Sequence, residues 1–148
     1  MTEEQILLIQ NFRDSIKSLK SSGVIRSHRY LGDLGEFLCA DAFGINLSDN
    51  LRERGHDGML GNSRVQIKYH GGSSTTANLG QPCQYDEVFI VLGPDSVLRP
   101  SNYCQDFLIY QLTSEAVTSF RSESGMYHCT SGRLPENPSH CISLGDIA

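Results

Sequence analysis

At 148 residues the chain is long enough for one domain with a buried core. Apolar residues make up 39% of it and charged residues 20%, the balance of a folded globular protein and not of a disordered one. Seventeen acidic against twelve basic side chains leave a net charge of −5, which argues against a passive nucleic-acid coat but not against an enzyme that meets DNA through a divalent metal and a local basic patch.

In chain order, Thr2 to about Lys20 reads as a helix: Thr2 and Gln5 form a capping box, and Ile6, Ile9, Ile16 and Leu19 mark one face. Ser21-Ser22-Gly23 ends it. A second helix is predicted from about His28 to Phe43, with Ser27 as N-cap, Gly44 as the stop, and Leu31, Leu34, Leu38 and Ala42 as its core stripe. Residues 45–54 hold a short strand and a charged turn. Basic side chains cluster at Arg26, His28 and Arg29, and again at Arg52, Arg54 and Arg64.

The stretch GHDGMLGNSRVQIKYH at 55–70 reads as a hairpin, with Gly61-Asn62 as a two-residue type II′ turn. That turn pairs Leu60 with Ser63, Met59 with Arg64, Gly58 with Val65 and Asp57 with Gln66. Alternation then puts Lys68 and His70 on the face of Gln66, and Val65, Ile67 and Tyr69 on the other. The loop-like 71–82 follows, then a buried-strand pattern over 87–92, a second over 106–112, and a helix over 115 to about 120 capped by Thr113 or Ser114. The tail from Gly125 is irregular, with one short strand at most. The fold class expected is α/β or α+β: a central mixed sheet of about four or five strands flanked by helices. Residues 1–27 form a helical extension, 28–120 the core and 121–148 an irregular extension.

No apolar run nears the roughly 18 residues a membrane span needs, and MTEEQ lacks the basic start of a signal peptide, so a cytoplasmic chain without a membrane partner is expected. Five cysteines without CxxC predict reduced thiols, with Cys39 and Cys104 buried. The pairs His128-Cys129 and His140-Cys141 offer four zinc-type ligands, but adjacent residues point apart and zinc sites favour CxxC-like spacing.

The polar cluster of Asp57, Gln66 and Lys68 has two readings. A solvent-facing hairpin carries polar residues on one face in this way. A metal site that cuts a phosphodiester needs the same residues. Glycines on both sides of Asp57 leave the backbone freedom that ligand sites use. Glu36 lies on a largely apolar side of its helix, with Cys39, Ala40 and Phe43 onward from it, where an unpaired carboxylate is costly. It sits on an exposed flank, pairs with Arg29 or Lys68, or completes a metal site with Asp57.

A Glu in a leading helix, then an Asp, then a strand bearing Q-x-K resembles the PD-(D/E)XK (restriction-endonuclease-like) nuclease superfamily, closest to the Mrr-type variant with Gln in the strand motif. The matching residues are Glu36 in LGEFLCADAFG, Asp57 in GHDG, and Gln66 and Lys68 in VQIKYH. The resemblance covers roughly residues 28–120 and departs from the family pattern in lacking a Pro before the Asp. It implies a Mg²⁺ (or Mn²⁺) held by Asp57, the Gln66 amide oxygen and the Ile67 carbonyl, with Glu36 bound through water or to a second ion. It implies that Lys68 orients or helps deprotonate the attacking water. His56, Arg64 and His70 are candidate DNA-backbone contacts. DNA is the implied substrate, and two copies of the chain, a homodimer, the simplest way to cut both strands. The first helix and the 106–112 strand both offer an apolar surface for it. A nuclease fold kept as a binding module is the alternative.

Overall fold

The computed structural model describes residues 1–50 and 55–145; Arg52 and Arg54 of the second basic cluster lie outside them. The capping box at Thr2 forms as expected: Gln5 N–H donates to the Thr2 hydroxyl (3.2 Å) and Thr2 N–H to the Gln5 side chain (2.9 Å). It starts α1, Glu3–Ser21. The apolar stripe of α1 does not join the core, because none of its residues is buried. Its link to the body runs through the Ser22–Ile25 turn and an edge-on contact of Phe12 with Tyr30, ring centroids 6.1 Å apart.

Helix α2 spans Tyr30–Phe43, two residues later than the sequence suggests. Ser27 does not cap it. The Asp33 carboxylate instead reaches back and accepts the N–H groups of Arg26 and Ser27, tying the incoming chain to the first turn. Gly44 ends the helix and donates its N–H to Ala40 (2.9 Å). The buried face is rotated from the expected stripe: Leu31 is 57% exposed, while Gly35, Glu36, Leu38 and Cys39 are buried.

The main sheet has six strands in the order β1-β2-β3-β5-β6-β8, one or two more than expected. They are β1 (Asn46–Leu47), β2 (Gly58–Leu60), β3 (Ser63–His70), β5 (Glu87–Leu92), β6 (Phe107–Thr113) and β8 (His140–Ile142). All neighbours are antiparallel except β3 and β5, so the sheet is mixed. A separate two-stranded sheet pairs β4 (Ala77–Asn78) with β7 (His128–Cys129), and the short α3 (Ser114–Thr118) is capped by the Thr113 side chain. The tail thus holds two short strands where one was expected. No helix among the described residues is long and apolar enough to cross a membrane.

The β2–β3 register is the one read from the sequence: Gly58 opposite Val65, Met59 opposite Arg64, Leu60 opposite Ser63. Gly61 sits at φ +59°, and Asn62 has no positive φ, which fits type II′ and excludes type I′. Gly58 is a glycine for a different reason: a Cβ there would lie 2.6 Å from the Asn46 carbonyl oxygen and 3.0 Å from Leu47 Cα.

Each face of the sheet carries a core. Val65, Ile67, Phe89, Val91 and Ile109 pack with Leu38 and Cys39 of α2. Val88, Ile90, Leu92, Leu108 and Tyr110 pack on the other face with Leu79, Tyr85, Val117 and Cys129, supplied by the 71–86 crossover, α3 and β7. β5, buried over Val88–Leu92, is the central strand its unbroken apolar run predicts. Of the thiols, Cys39 and Cys129 are buried, whereas Cys83 and, contrary to expectation, Cys104 are exposed.

Candidate active site

β2 pairs with β3 only as far as Val65, and β3 runs on to His70 with β5 along one side. The other edge of β3 beyond Val65 is where the functional side chains meet. Asp57, just before β2, is locked through its backbone: its N–H donates to the Val65 carbonyl (2.7 Å), and its carbonyl accepts from Ser48 N–H (2.8 Å). Its carboxylate turns across that edge. Oδ2 accepts from Ile67 N–H (2.7 Å) and from Gln66 Nε2 (2.7 Å).

The Gln66 amide is oriented by chemistry. Its nitrogen lies between the Asp57 carboxylate and the Ile67 carbonyl (3.4 Å), and both of those groups only accept. It is therefore the Gln66 nitrogen, not its oxygen, that faces Asp57 and the Ile67 carbonyl. Lys68 follows on the same face of β3, half-buried. Across from them, Glu36 of α2 is 5% exposed and accepts from Arg26 NH2 (2.8 Å), with Arg29 NH2 4.0 Å from its other oxygen. Arg26, Arg29, Glu36, His56 and Asp57 also line a narrow recess together. A cleft of about 470 Å³ is lined by Arg29, Glu36, Asp57, Gln66 and Lys68, with Gly71 and Gly72 among the other lining residues.

Burial dominates the electrostatics. It raises the pKa of both Glu36 and Asp57 from their ordinary values. Arg26 pulls Glu36 back down, and the Ile67 N–H and then Lys68 do the same for Asp57. The negative charge of Asp57 in turn pushes Glu36 up. The Cys39 thiol beneath them is pushed up to about 12, by burial first and then by the two carboxylates, so it stays protonated and is no nucleophile.

The structure therefore brings Glu36, Asp57, Gln66, Ile67 and Lys68 together, with His56 beside Asp57. It does not bring Arg64 or His70. Arg64 lies on the expected face, but its guanidinium is held by Asp86 (NH2 to Oδ1, 3.2 Å; Nε to Oδ2, 3.2 Å). His70 is 8% exposed, its Nδ1 2.6 Å from the Ser96 hydroxyl, a core position and not a surface phosphate contact. Sequence reading missed Arg26 as the partner of Glu36, having named Arg29 and Lys68. Its only signal was membership of the basic 26–29 cluster.

No protein-family model matches the chain, and no curated protein does either.

Among the described residues, no three His, Cys, Asp or Glu side chains gather as a metal-ligand group. Cys129 donates to the Thr130 carbonyl, and the His140 ring rests edge-on against Phe43. The β3 edge offers a different donor set: two carboxylates and a backbone carbonyl, to which Gln66 adds its amide oxygen once the amide turns over from its bond to Asp57. It consists wholly of oxygen, as Mg²⁺ requires, and is small enough to leave the ion several waters. Burial raises both carboxylates and the charge of Asp57 raises Glu36 further, a cost that a divalent cation relieves. The residues present fit such an ion.

Proposed function

We propose that the chain is a metal-dependent endonuclease that hydrolyses DNA phosphodiester bonds, with a restriction-endonuclease-like core of the PD-(D/E)XK type. The observation that carries the reading is the Asp57 carboxylate bonded to Ile67 N–H and Gln66 Nε2 at the open edge of β3, with Lys68 next on the same face and Glu36 opposite.

Asp57 and the Ile67 carbonyl would hold a Mg²⁺ or Mn²⁺ ion, joined by the Gln66 oxygen when the amide turns over from its bond to Asp57, with Glu36 reached directly or through water. Bound there, the ion supplies Lewis acidity and neutralises charge that builds on the phosphate. The chain's own groups do the rest. Asp57, fixed by four hydrogen bonds through its backbone and side chain, keeps the ligand set in place. Lys68, which lines the cleft, would orient the attacking water and stabilise negative charge in the transition state. Arg29 and His56 add cationic or hydrogen-bonding capacity along the scissile strand. Two copies acting on one duplex would cut both strands.

One feature favours a second reading, a nuclease fold that binds nucleic acid or a protein partner without cutting. Arg26 already neutralises Glu36, which leaves Asp57 as the carboxylate on which a bound ion would chiefly depend.

Plasmid and branched DNA, incubated with Mg²⁺ or Mn²⁺, separate the two. The wild type is expected to nick or cut, and Lys68→Ala and Asp57→Ala to lose about 100-fold or more, as does an EDTA control. A wild type that is inert on every substrate, yet shifts DNA or a protein partner, establishes the binding module instead.

A further inference from the structure

Where α1 meets the segment leading into α2, the fold leaves a groove of about 380 Å³. Phe12, His28 and Tyr30 line it together with Arg13, Lys17 and Lys20, and among the described residues no acidic side chain does. At 3.6 residues per turn, Phe12, Arg13, Lys17 and Lys20 lie within about 140° of one side of α1, and Glu3, Glu4 and Asp14 fall outside that arc. The ion pairs among the described residues belong to Glu36 and Asp86, so these three cations stand outside them. Tyr30 lies between the other two rings, its centroid 6.1 Å from that of Phe12 and 6.2 Å from that of His28. Both contacts are edge-on, which leaves ring faces for a further flat group to lie on. The groove also adjoins the cleft: His28 and Tyr30 line the one, and Arg29 between them lines the other.

We propose that this groove holds an unpaired DNA strand beside the cleft, with a base against Phe12 and Tyr30 and its phosphates on Arg13, Lys17 and Lys20. Aromatic faces set among cations suit a single strand, whose bases are free to stack on them; a duplex keeps its base faces against one another. A membrane-surface helix supplies its own apolar and basic side chains, whereas two of the three rings here come from outside α1. The inference rests on the DNA-cutting reading, since the strand passes Arg29 to reach the cleft. Binding is read without metal, so a chain that cuts nothing can still pass the test and a chain that cuts can still fail it.

The experiment is fluorescence anisotropy of a labelled oligothymidylate with the full chain in EDTA, against a duplex of the same length. The wild type is expected to bind the single strand at least about tenfold more tightly than the duplex. Lys17→Glu should weaken that binding about tenfold, and Lys17→Ala should lower the slope of log affinity against log salt by about 0.7. Phe12→Leu keeps an apolar side chain at a position 57% exposed and should cost about fivefold, the low end for a base that loses its aromatic platform. Glu4→Lys changes the charge of α1 by as much outside the arc and should leave the affinity within about twofold. A wild type that holds the duplex as tightly overturns the proposal, as do Lys17→Glu and Phe12→Leu chains that bind like the wild type. So does a Glu4→Lys chain that gains what Lys17→Glu loses, an oligouridylate held more tightly than the DNA, or a wild type that binds phosphatidylserine vesicles and ignores the strand.

Discussion

Gln66→Glu puts the geometry of the site to a test that needs no substrate. In the wild type, Gln66 Nε2 donates to Asp57 Oδ2 at 2.7 Å; a glutamate there turns the bond into two carboxylates in contact. Losing a hydrogen bond to a charged group costs about 1.5–3 kcal/mol, and repulsion at this distance adds to it. The total is capped near 4 kcal/mol, because that is what keeping a proton on an ordinary glutamate costs at pH 7, after which the pair shares one proton. A loss of about 2–4 kcal/mol in EDTA is therefore expected, or roughly 5–15 °C in Tm for a chain of this length. Adding Mg²⁺ should return most of it, since the extra carboxylate becomes a ligand, and the Mg²⁺-dependent rise in Tm should exceed that of the wild type. Thermal unfolding followed by circular dichroism, with EDTA and across a Mg²⁺ titration, measures both. A Gln66→Glu chain as stable as the wild type in EDTA, with no greater response to Mg²⁺, would refute the placement of the amide on Asp57 and the ligand set built on it.

Asp57→Asn should stabilise the fold at neutral pH while abolishing cleavage. The folded pKa of Asp57 is raised, mainly by burial, so ionising it costs stability as pH climbs from the ordinary carboxylate range through the raised value. Both hydrogen bonds fall on Oδ2, which an asparagine oxygen replaces. Denaturant unfolding should show the gain at pH 7 and its disappearance near pH 4, about the unfolded value; a variant less stable than the wild type at pH 7 contradicts it. Arg26→Ala leaves Glu36, 7% exposed at its side chain, with Arg29 4.0 Å away. Because Arg26 itself is 29% exposed, the loss should fall at or below the low end for a buried pair, about 2–3 kcal/mol, and Arg26→Ala/Glu36→Gln should recover most of it. Gly58→Ala drives a Cβ into the β1 backbone, so β1 and β2 must part. About 2 kcal/mol of stability and at least tenfold in cleavage should go with it, since Asp57 is the adjacent residue.

The hairpin was legible because its information is local. A glycine that accepts positive φ at position 61 sets the turn, the turn sets the register, and the two-residue alternation carries Gln66 and Lys68 to one face. The central strands were legible because continuous apolar runs of strand length have few other places to go. The strands not read, β4 and the second of the two in the tail, are two or three residues long, too short to carry any period, and are held in place by the pairing of β4 with β7 and of β8 with β6. Helix α2 was misjudged for a related reason. Ranking its positions by hydrophobicity turned Leu31 inward. The Asp33 bonds to the Arg26 and Ser27 backbone and the Glu36 bond to Arg26 instead set polar groups on the buried side.

The same bonds explain why the partner of Glu36 lay beyond reading. Arg26 precedes α2, and its neighbour in space is decided by the turn that Asp33 folds back, not by helical spacing. Once placed, its guanidinium spans two parts of the site, donating to Glu36 and to the Ser48 carbonyl, while Ser48 N–H holds the Asp57 carbonyl. A chain of contacts thus runs from α2 through Arg26 and Ser48 to Asp57, and from Asp57 to Gln66 and Ile67 on β3. The two carboxylates belong to separate elements, one on a helix and one at a strand mouth, yet their separation is set by this relay. A site assembled this way tolerates little: loosening Arg26 should displace Asp57 as well as Glu36, so Arg26→Ala should lower the Mg²⁺ response in unfolding even though Arg26 is no ligand. An Arg26→Ala chain whose Mg²⁺ titration overlays that of the wild type would mean that the two carboxylates are positioned independently.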